Sequence, residues 1–216
     1  MDFRVILVLG TIGIIHCELL KSCSITRRFV DAHNNKRTLL AKGKVPGQPA
    51  ATGMTAIVWD DELALKAQNW ASKNNFQHNP DKSIPSGRFT VGENLHMFWT
   101  TAKNFDFDPE SAVQSWWNEF KDYRHGRLSM REFNGPNQTG HYTQIAWEDT
   151  TRIGCGVLQS YENGKNKYFV VCNYGPAGNY IGQAPYKAGE PRDYLVCRSG
   201  TDCDRKYVSD IHRVAR

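Results

Sequence analysis

The sequence lacks every short motif that marks the common hydrolase, nucleotide and calcium sites. It contains no HExxH or GxSxG stretch, no phosphate-binding loop and no EF-hand loop. It also has no CxxC pair, so the usual structural zinc sites are not predicted. Basic residues exceed acidic ones by only 27 to 22 and form no stripe with aromatic residues, which argues against a nucleic-acid-binding protein.

Long hydrophobic runs are also missing, apart from one short stretch near the amino terminus. Arg4 precedes an apolar run, residues 5–15, that is too short to span a bilayer. This order is typical of a secretory signal peptide, to which we assign residues 1–17. No later segment has the length of a transmembrane helix. We therefore expect a secreted, extracellular protein of about 199 residues, enough for one compact domain.

Cysteine is scarce, with six in the chain, and in a secreted protein disulfides are expected. Two β-rich runs flank Asn163-Gly164, the strongest short signal for a hairpin. With that loop, Cys155 and Cys172 lie directly opposite each other in a non-hydrogen-bonded pair. Such pairs have Cα atoms about 4.5 Å apart, within the range of a disulfide. The sequence therefore predicts a Cys155–Cys172 bond.

The remaining cysteines allow two arrangements. Cys197 and Cys203 are close enough in sequence to close a small loop, which leaves Cys23 unpaired if Cys17 is removed with the signal. A Cys23–Cys203 bond is the alternative, and the sequence does not decide between them.

Three segments have helical periodicity. Residues 25–42 form the first predicted helix, with Gly43 as its stop. Asp60 is the expected N-cap of the second and Asp108 that of the third, which has Pro109 at its first position. The expected core positions are Leu63, Ala67, Trp70 and Asn74 in the second helix and Val113, Trp116, Trp117 and Phe120 in the third. Together with the hairpin, these helices predict an α+β fold with α-β-α layers, followed by a Gly/Pro-rich surface tail.

Four titratable residues are candidates for chemistry: His78, Glu93, Glu119 and His141. Their spacing forms no known metal motif. Considered singly, each is more often a surface or structural residue than a catalytic one. The residues themselves therefore do not assign an activity.

Longer stretches resemble a known family. "GHYTQIAWEDT" (140–150) and "FVVCNYGPAGNY" (169–180) resemble two signatures of the secreted superfamily of cysteine-rich secretory proteins, antigen-5 venom allergens and pathogenesis-related proteins, the CAP superfamily. "HNNKR" (33–37) is similar to its first-helix motif. The stretches "KGKVPGQPAATGM" (42–54) and "GRFTVGENL" (87–95) are most similar to arthropod venom allergens and salivary antigen-5 proteins. The resemblance implies a CAP (SCP) domain over residues 18–186, followed by a short Cys-containing extension over 187–216.

The resemblance also implies a fold and a site. The family has a three-layer α-β-α sandwich with a central antiparallel sheet and an open cleft that contains two histidines and two glutamates. These correspond to His78, His141, Glu93 and Glu119. In many members the histidines bind a divalent metal, commonly zinc. We expect His78 and His141 to be the metal ligands, with Glu93 and Glu119 orienting the rings or, in a hydrolase, one of them serving as a catalytic base.

The resemblance favours a non-enzymatic extracellular effector, monomeric and with an unknown extracellular protein partner. One alternative is a carrier of sterols, fatty acids or eicosanoids, and another is a metal-dependent hydrolase or protease. Some relatives bind lipids, and the candidate lipid site is an aromatic run in an expected loop, Phe98, Trp99, Phe105 and Phe107. Packing of these rings in the core is the competing interpretation.

Asn137-Gln138-Thr139 is an N-glycosylation sequon. Asn137 would then carry a sugar near the mouth of the cleft. Alternatively, Asn137 caps the helix that carries His141.

Overall fold

The computed structural model describes residues 12–103, 105–134, 136–198 and 200–209, with side chains from Ser24 onward. Most of the expected signal peptide and the side chains of Cys17 and Cys23 lie outside this part. The helices are α1 (Ile12–Ala41), α2 (Asp61–Ala71), α3 (Pro109–Trp117) and α4 (Gly140–Ile145), and the strands are β1 (Val58–Trp59), β2 (Gly92–Thr100), β3 (Arg152–Glu162) and β4 (Lys165–Gly175). None of the helices in the described ranges combines the length and the apolarity needed to cross a membrane.

The strands form one sheet in the order β1-β3-β4-β2. The three long strands are antiparallel, as predicted. β1 adds a short parallel pair, Val58 with Arg152, so the sheet is mixed rather than purely antiparallel. The α+β fold class is confirmed.

The hairpin between β3 and β4 has the predicted register. Asn163 and Gly164 form its loop with φ values of 50° and 77°, the left-handed conformations that a type I′ turn requires. Cys155 is paired with Cys172, their Cα atoms are 4.1 Å apart, and the two sulfurs are bonded. The prediction of this disulfide is therefore confirmed.

The second disulfide joins Cys197 to Cys203. This bond uses the sulfur of Cys203, so the alternative Cys23–Cys203 pairing is wrong.

The helices cover both faces of the sheet. On β4, Phe169 and Val171 face α2, while Val170, Cys172 and Tyr174 belong to the larger core with α1, α3 and α4. This alternation follows from the two-residue period of a strand. The result is the predicted three-layer sandwich.

The predicted N-caps of α2 and α3 are confirmed. The Asp60 side chain accepts a hydrogen bond from the Leu63 amide, and Asp108 accepts one from the Glu110 amide. Asn74 is not a core position, because α2 ends at Ala71 and Asn74 is exposed with a φ of 53°. The first helix begins at Ile12, earlier than the predicted residue 25.

The carboxyl-terminal segment is not a surface tail. Tyr186, Leu195 and Tyr207 are buried in the main core. Val196 forms a β-bridge with Thr55, which lies ahead of β1. Glycine and proline content correctly predicted irregular backbone, but composition does not report where such backbone packs.

Candidate metal site

Glu119 and His141 form the first of two histidine–glutamate pairs. Glu119 lies on a 3₁₀ turn that continues α3, and His141 lies in the first turn of α4. Glu119 Oε1 is 2.6 Å from His141 Nδ1, while Oε2 accepts the backbone N–H groups of His141 and Tyr142, each at 3.0 Å. Thr139, the N-cap residue of α4, makes no side-chain capping bond. Glu119 therefore caps α4, and the alternative role of Asn137 as its cap is wrong.

His78 and Glu93 form the second pair. Glu93 is on β2, and its Oε1 accepts from His78 Nδ1 and from the Asn79 amide, both at 2.9 Å. With its amide oriented to match its partners, Asn173 donates to Glu93 Oε2 at 3.3 Å. The Glu93 side chain is 2% exposed and that of His78 is 59% exposed. A buried carboxylate thus holds an imidazole that faces solvent.

The two pairs share one chemical arrangement. An ionised carboxylate only accepts hydrogen bonds, so in each neutral imidazole Nδ1 carries the proton and donates it to the glutamate. This tautomer leaves Nε2 with a free lone pair, the form in which histidine binds a metal. Carboxylates that hold the other ring nitrogen are typical partners of metal-binding histidines.

The edge strand β2 connects the two pairs. Asn94, the residue after Glu93, donates from Nδ2 to the His141 carbonyl at 3.1 Å. Successive strand residues point to opposite faces, so Glu93 and Asn94 hold His78 and α4 from the two sides of one strand. Among the residues that the structure describes, three or more His, Cys, Asp or Glu side chains nowhere group in a way that would hold a metal. The four expected site residues therefore form two separate pairs rather than one cluster, and a cation shared by both pairs would have two protein ligands.

Sequence reasoning missed a buried chain of hydrogen bonds behind the site. His33 Nδ1 lies 2.7 Å from the Phe29 carbonyl, and its Nε2 lies 2.9 Å from the Tyr174 hydroxyl, which also accepts from Asn94 at 3.1 Å. Because a carbonyl only accepts, His33 donates from Nδ1 and Tyr174 donates to Nε2. Burial, aided by the charge of Arg37, lowers the pKa of His33 to about 4. The only sign of this chain in the sequence was the motif "HNNKR", which does not indicate the hydrogen-bond partners of His33.

Arg37 positions the segment that follows α4. Its fully buried guanidinium donates to five backbone carbonyls, those of Thr55, Ile145, Trp147, Glu148 and Thr150. Burial lowers its pKa to about 9. Five accepting carbonyls stabilise the cation inside the protein, and the turn after α4 is fixed to α1.

His96 is a further residue that the sequence did not single out. It lies on β2, and its ring centroid is 6.3 Å from that of Trp116, which stacks on His141 at 6.2 Å. Burial, with a smaller contribution from the charge of His141, lowers the pKa of His96. The rings of His96 and Trp116 thus form an aromatic surface next to His141.

The four candidate lipid residues do not form one loop. Phe98 and Trp99 are on β2, and Phe105 and Phe107 follow it. Phe98 stacks on Tyr168 with a centroid distance of 4.9 Å, Phe105 and Phe107 pack around the same ring, and Trp99 is 52% exposed. The loop prediction is wrong because the β-propensity of "HMFWT" extends the edge strand.

One of these rings borders a large apolar groove. A cavity of about 880 Å³ lies between α1, α2 and β3, and Phe107 and Tyr168 form part of its wall. The other apolar lining residues include Ile25, Phe29, Trp59 and Leu65.

Residues 30–174 match the profile of the family described as "Cysteine-rich secretory protein family" (CAP), so the chain belongs to that family. The chain is 38% identical to venom allergen 5 of Rhynchium brunneum over 80% of this chain and 78% of that protein. The fold is similar to the crystal structure of Na-ASP-1, with a TM-score of 0.65 and 35% identity over 84% of this chain and 45% of that one. It is also similar to a crystal structure described as NaASP2 with Zn2+, with a TM-score of 0.64 and 30% identity over 77% and 87% of the two chains.

Proposed function

We propose that this chain is a secreted, monomeric, venom-allergen-like protein that acts without catalysis and binds a divalent cation, such as zinc, through Nε2 of His78 and His141. The observation that carries the proposal is the pair of imidazoles whose Nδ1 atoms are both held by glutamates. A chain of 30% identity described as containing Zn2+ adds support.

Secretion is supported by the amino-terminal sequence and by the disulfides. The apolar run that ends at residue 15 has the order of a signal peptide. The two disulfides between described cysteines are of the kind that forms and persists in an oxidising environment such as the extracellular space.

The glutamates support binding rather than hydrolysis. Catalytic zinc sites normally have three protein ligands and a water molecule. Glu119 accepts three hydrogen bonds and caps α4, and the buried Glu93 carboxylate holds His78 and the Asn79 amide. Neither carboxylate is therefore free to act as a general base without loss of its structural contacts.

Calorimetric titration of the secreted protein with zinc tests the cation site. We expect one zinc per chain. The variants His78→Ala and His141→Ala each remove one ligand, and each should abolish this one-to-one binding. His125→Gln, which changes a half-buried histidine outside the site, is the control. Two independent weak sites, each lost in only one variant, would contradict a shared cation.

Activity assays test the alternative class of function. The wild type is incubated with casein and a panel of esters, in zinc and in chelator. We expect no turnover above that of the His141→Ala variant. Turnover that the chelator removes and that is missing from His141→Ala would establish a metal-dependent hydrolase instead.

The apolar groove favours a second candidate function, a carrier of small hydrophobic ligands such as fatty acids, sterols or eicosanoids. Its volume of about 880 Å³ is within the range of ligand sites, and its aromatic wall is continuous with the Phe98–Tyr168 stack. Mass spectrometry of lipid extracted from the secreted protein tests this function. Bound lipid that is lost in Phe107→Asp and kept in the exposed Trp99→Ala control would support it.

A further inference from the structure

A small polar cavity lies beside the sequon at Asn137. Its volume is about 250 Å³. The cavity is lined by residues whose side chains can donate or accept hydrogen bonds: Asp122, Arg124, Arg131, Glu132, Asn137 and Thr139. None of the described residues that line it has a hydrocarbon side chain, so the cavity suits a hydrophilic occupant.

A second polar cavity, of about 530 Å³, contains Glu119. Asp122 and Asn137 line both cavities. Asn137 therefore stands between the smaller cavity and the pocket beside the Glu119–His141 pair.

Thr139 supplies a buried polar atom without a protein partner. The residue is 3% exposed, and its Oγ1 has no hydrogen-bond partner among the described residues. A buried hydroxyl without a partner lowers the stability of the fold. Because this oxygen has almost no accessible surface, an occupant of the cavity meets the exposed Arg131 and Asn137 rather than the Thr139 hydroxyl.

The charges around the cavity indicate the class of occupant. Arg124 and Arg131 supply two cations, while Asp122 and Glu132 supply two anions. This balance favours neither an anion nor a cation. A neutral, polyhydroxylated group fits both kinds of side chain, because its hydroxyls accept from guanidinium groups and donate to carboxylates.

We propose that Asn137 is N-glycosylated and that the first N-acetylglucosamine of the glycan lies in this cavity, hydrogen-bonded to Arg131. Asn137 is exposed and is the acceptor of an Asn-X-Thr sequon. In the transfer, a bond forms between Asn137 Nδ2 and the anomeric carbon of a lipid-diphosphate-linked oligosaccharide. The carbon–oxygen bond to the diphosphate breaks, and the amide loses one proton.

The inference rests on the secretion proposed above, since this modification occurs in the secretory pathway. It adds a consequence for the candidate metal site. A glycan on Asn137 borders the cavity that contains Glu119 and restricts the approach of large molecules to it.

Mass spectrometry of the full chain, secreted from a eukaryotic host, tests the modification. We expect a glycan that peptide N-glycosidase removes and that is missing from Asn137→Gln and Thr139→Val. Thr139→Ser preserves the sequon and should keep the glycan. Secreted protein without a glycan on Asn137 overturns the inference and leaves the proposed function intact, whereas failure of the chain to be secreted contradicts both.

The rate of deglycosylation tests the location of the first sugar. Enzymatic release from the native protein should be roughly tenfold slower than from the denatured protein, the protection that one or two hydrogen bonds provide. Arg131→Ala should remove most of this protection, and Arg205→Ala, an exposed arginine outside the cavity, should not. Equal rates from native and denatured wild type would overturn the location.

Discussion

Glu119 holds the His141 ring and the backbone of His141 with the two oxygens of a single carboxylate. One side chain therefore performs two tasks that are usually separate. It caps the short helix α4, and it fixes the tautomer of an imidazole. Orientation of the candidate ligand and stability of its helix are consequently coupled.

The first prediction concerns this coupling. Glu119→Gln replaces one accepting oxygen with an NH₂ group, which faces donors. We expect a loss of about 1–3 kcal/mol in the free energy of unfolding and a roughly 10–100-fold loss of zinc affinity. Urea unfolding and calorimetry measure the two effects. Glu190→Gln, at an exposed glutamate, should change neither, and an unchanged zinc affinity in Glu119→Gln would refute the orienting role.

The second prediction concerns pH. His33 has a pKa of about 4 in the folded protein, lowered from 6.5 by burial. Between these values the unfolded chain binds a proton at His33 that the folded chain does not, so stability is lost as the pH falls from about 6.5 to 4. The loss amounts to about 3 kcal/mol.

Urea unfolding at several pH values tests this dependence. His33→Gln should be less stable at pH 7, because its hydrogen bonds to Phe29 and Tyr174 are disturbed. Its stability should also change less across the same pH window. A variant with the full wild-type slope would show that another group is responsible.

The third prediction concerns the contact between α2 and β3. A Cβ atom at Gly156 would lie 2.4 Å from the Cα of Gln68, so the helix backbone rests directly on the strand. Gly156→Ala should destabilise the protein by about 3 kcal/mol, because the added methyl group would force the backbone of α2 or β3 to move. Gly126→Ala is the matched control, since its nearest contact would be 3.9 Å away. Thermal unfolding compares them, and equal melting temperatures would contradict the close approach.

The fourth prediction compares the two disulfides. Cys155–Cys172 closes a loop with a sequence separation of 17, and Cys197–Cys203 one of 6. Loop entropy predicts a loss of about 3 kcal/mol when the first pair is changed to serine and about 2 kcal/mol for the second. Unfolding of the two double-serine variants in urea checks this order. A larger loss from the shorter loop would show that chain entropy does not dominate.

The features predicted correctly from the sequence are local ones. Asn163-Gly164 defines the hairpin loop, and the two-residue period of the strands then places Cys155 opposite Cys172. The caps of α2 and α3 each depend on an aspartate within three residues of its partner amide. In each case the physical cause lies within a few positions along the chain.

The aromatic residues after Leu95 show where such reasoning fails. "HMFWTTAKNFDF" is rich in aromatic side chains, which occur in binding loops and in strands alike. The structure continues β2 to Thr100, because β4 offers a partner along its whole length. Strand pairing over such a distance is a tertiary contact that composition does not contain.

The hairpin, its disulfide, the helix caps and, through the signatures, the fold class all follow from the order of the residues alone. The tertiary structure was needed to show that Glu119 caps α4, that His33 is joined to Asn94 through Tyr174, and that the core includes Tyr186, Leu195 and Tyr207. The reason is physical. Hydrogen bonds within a turn depend on neighbouring residues, whereas a carboxylate meets an imidazole 22 positions away only after the core has packed around both.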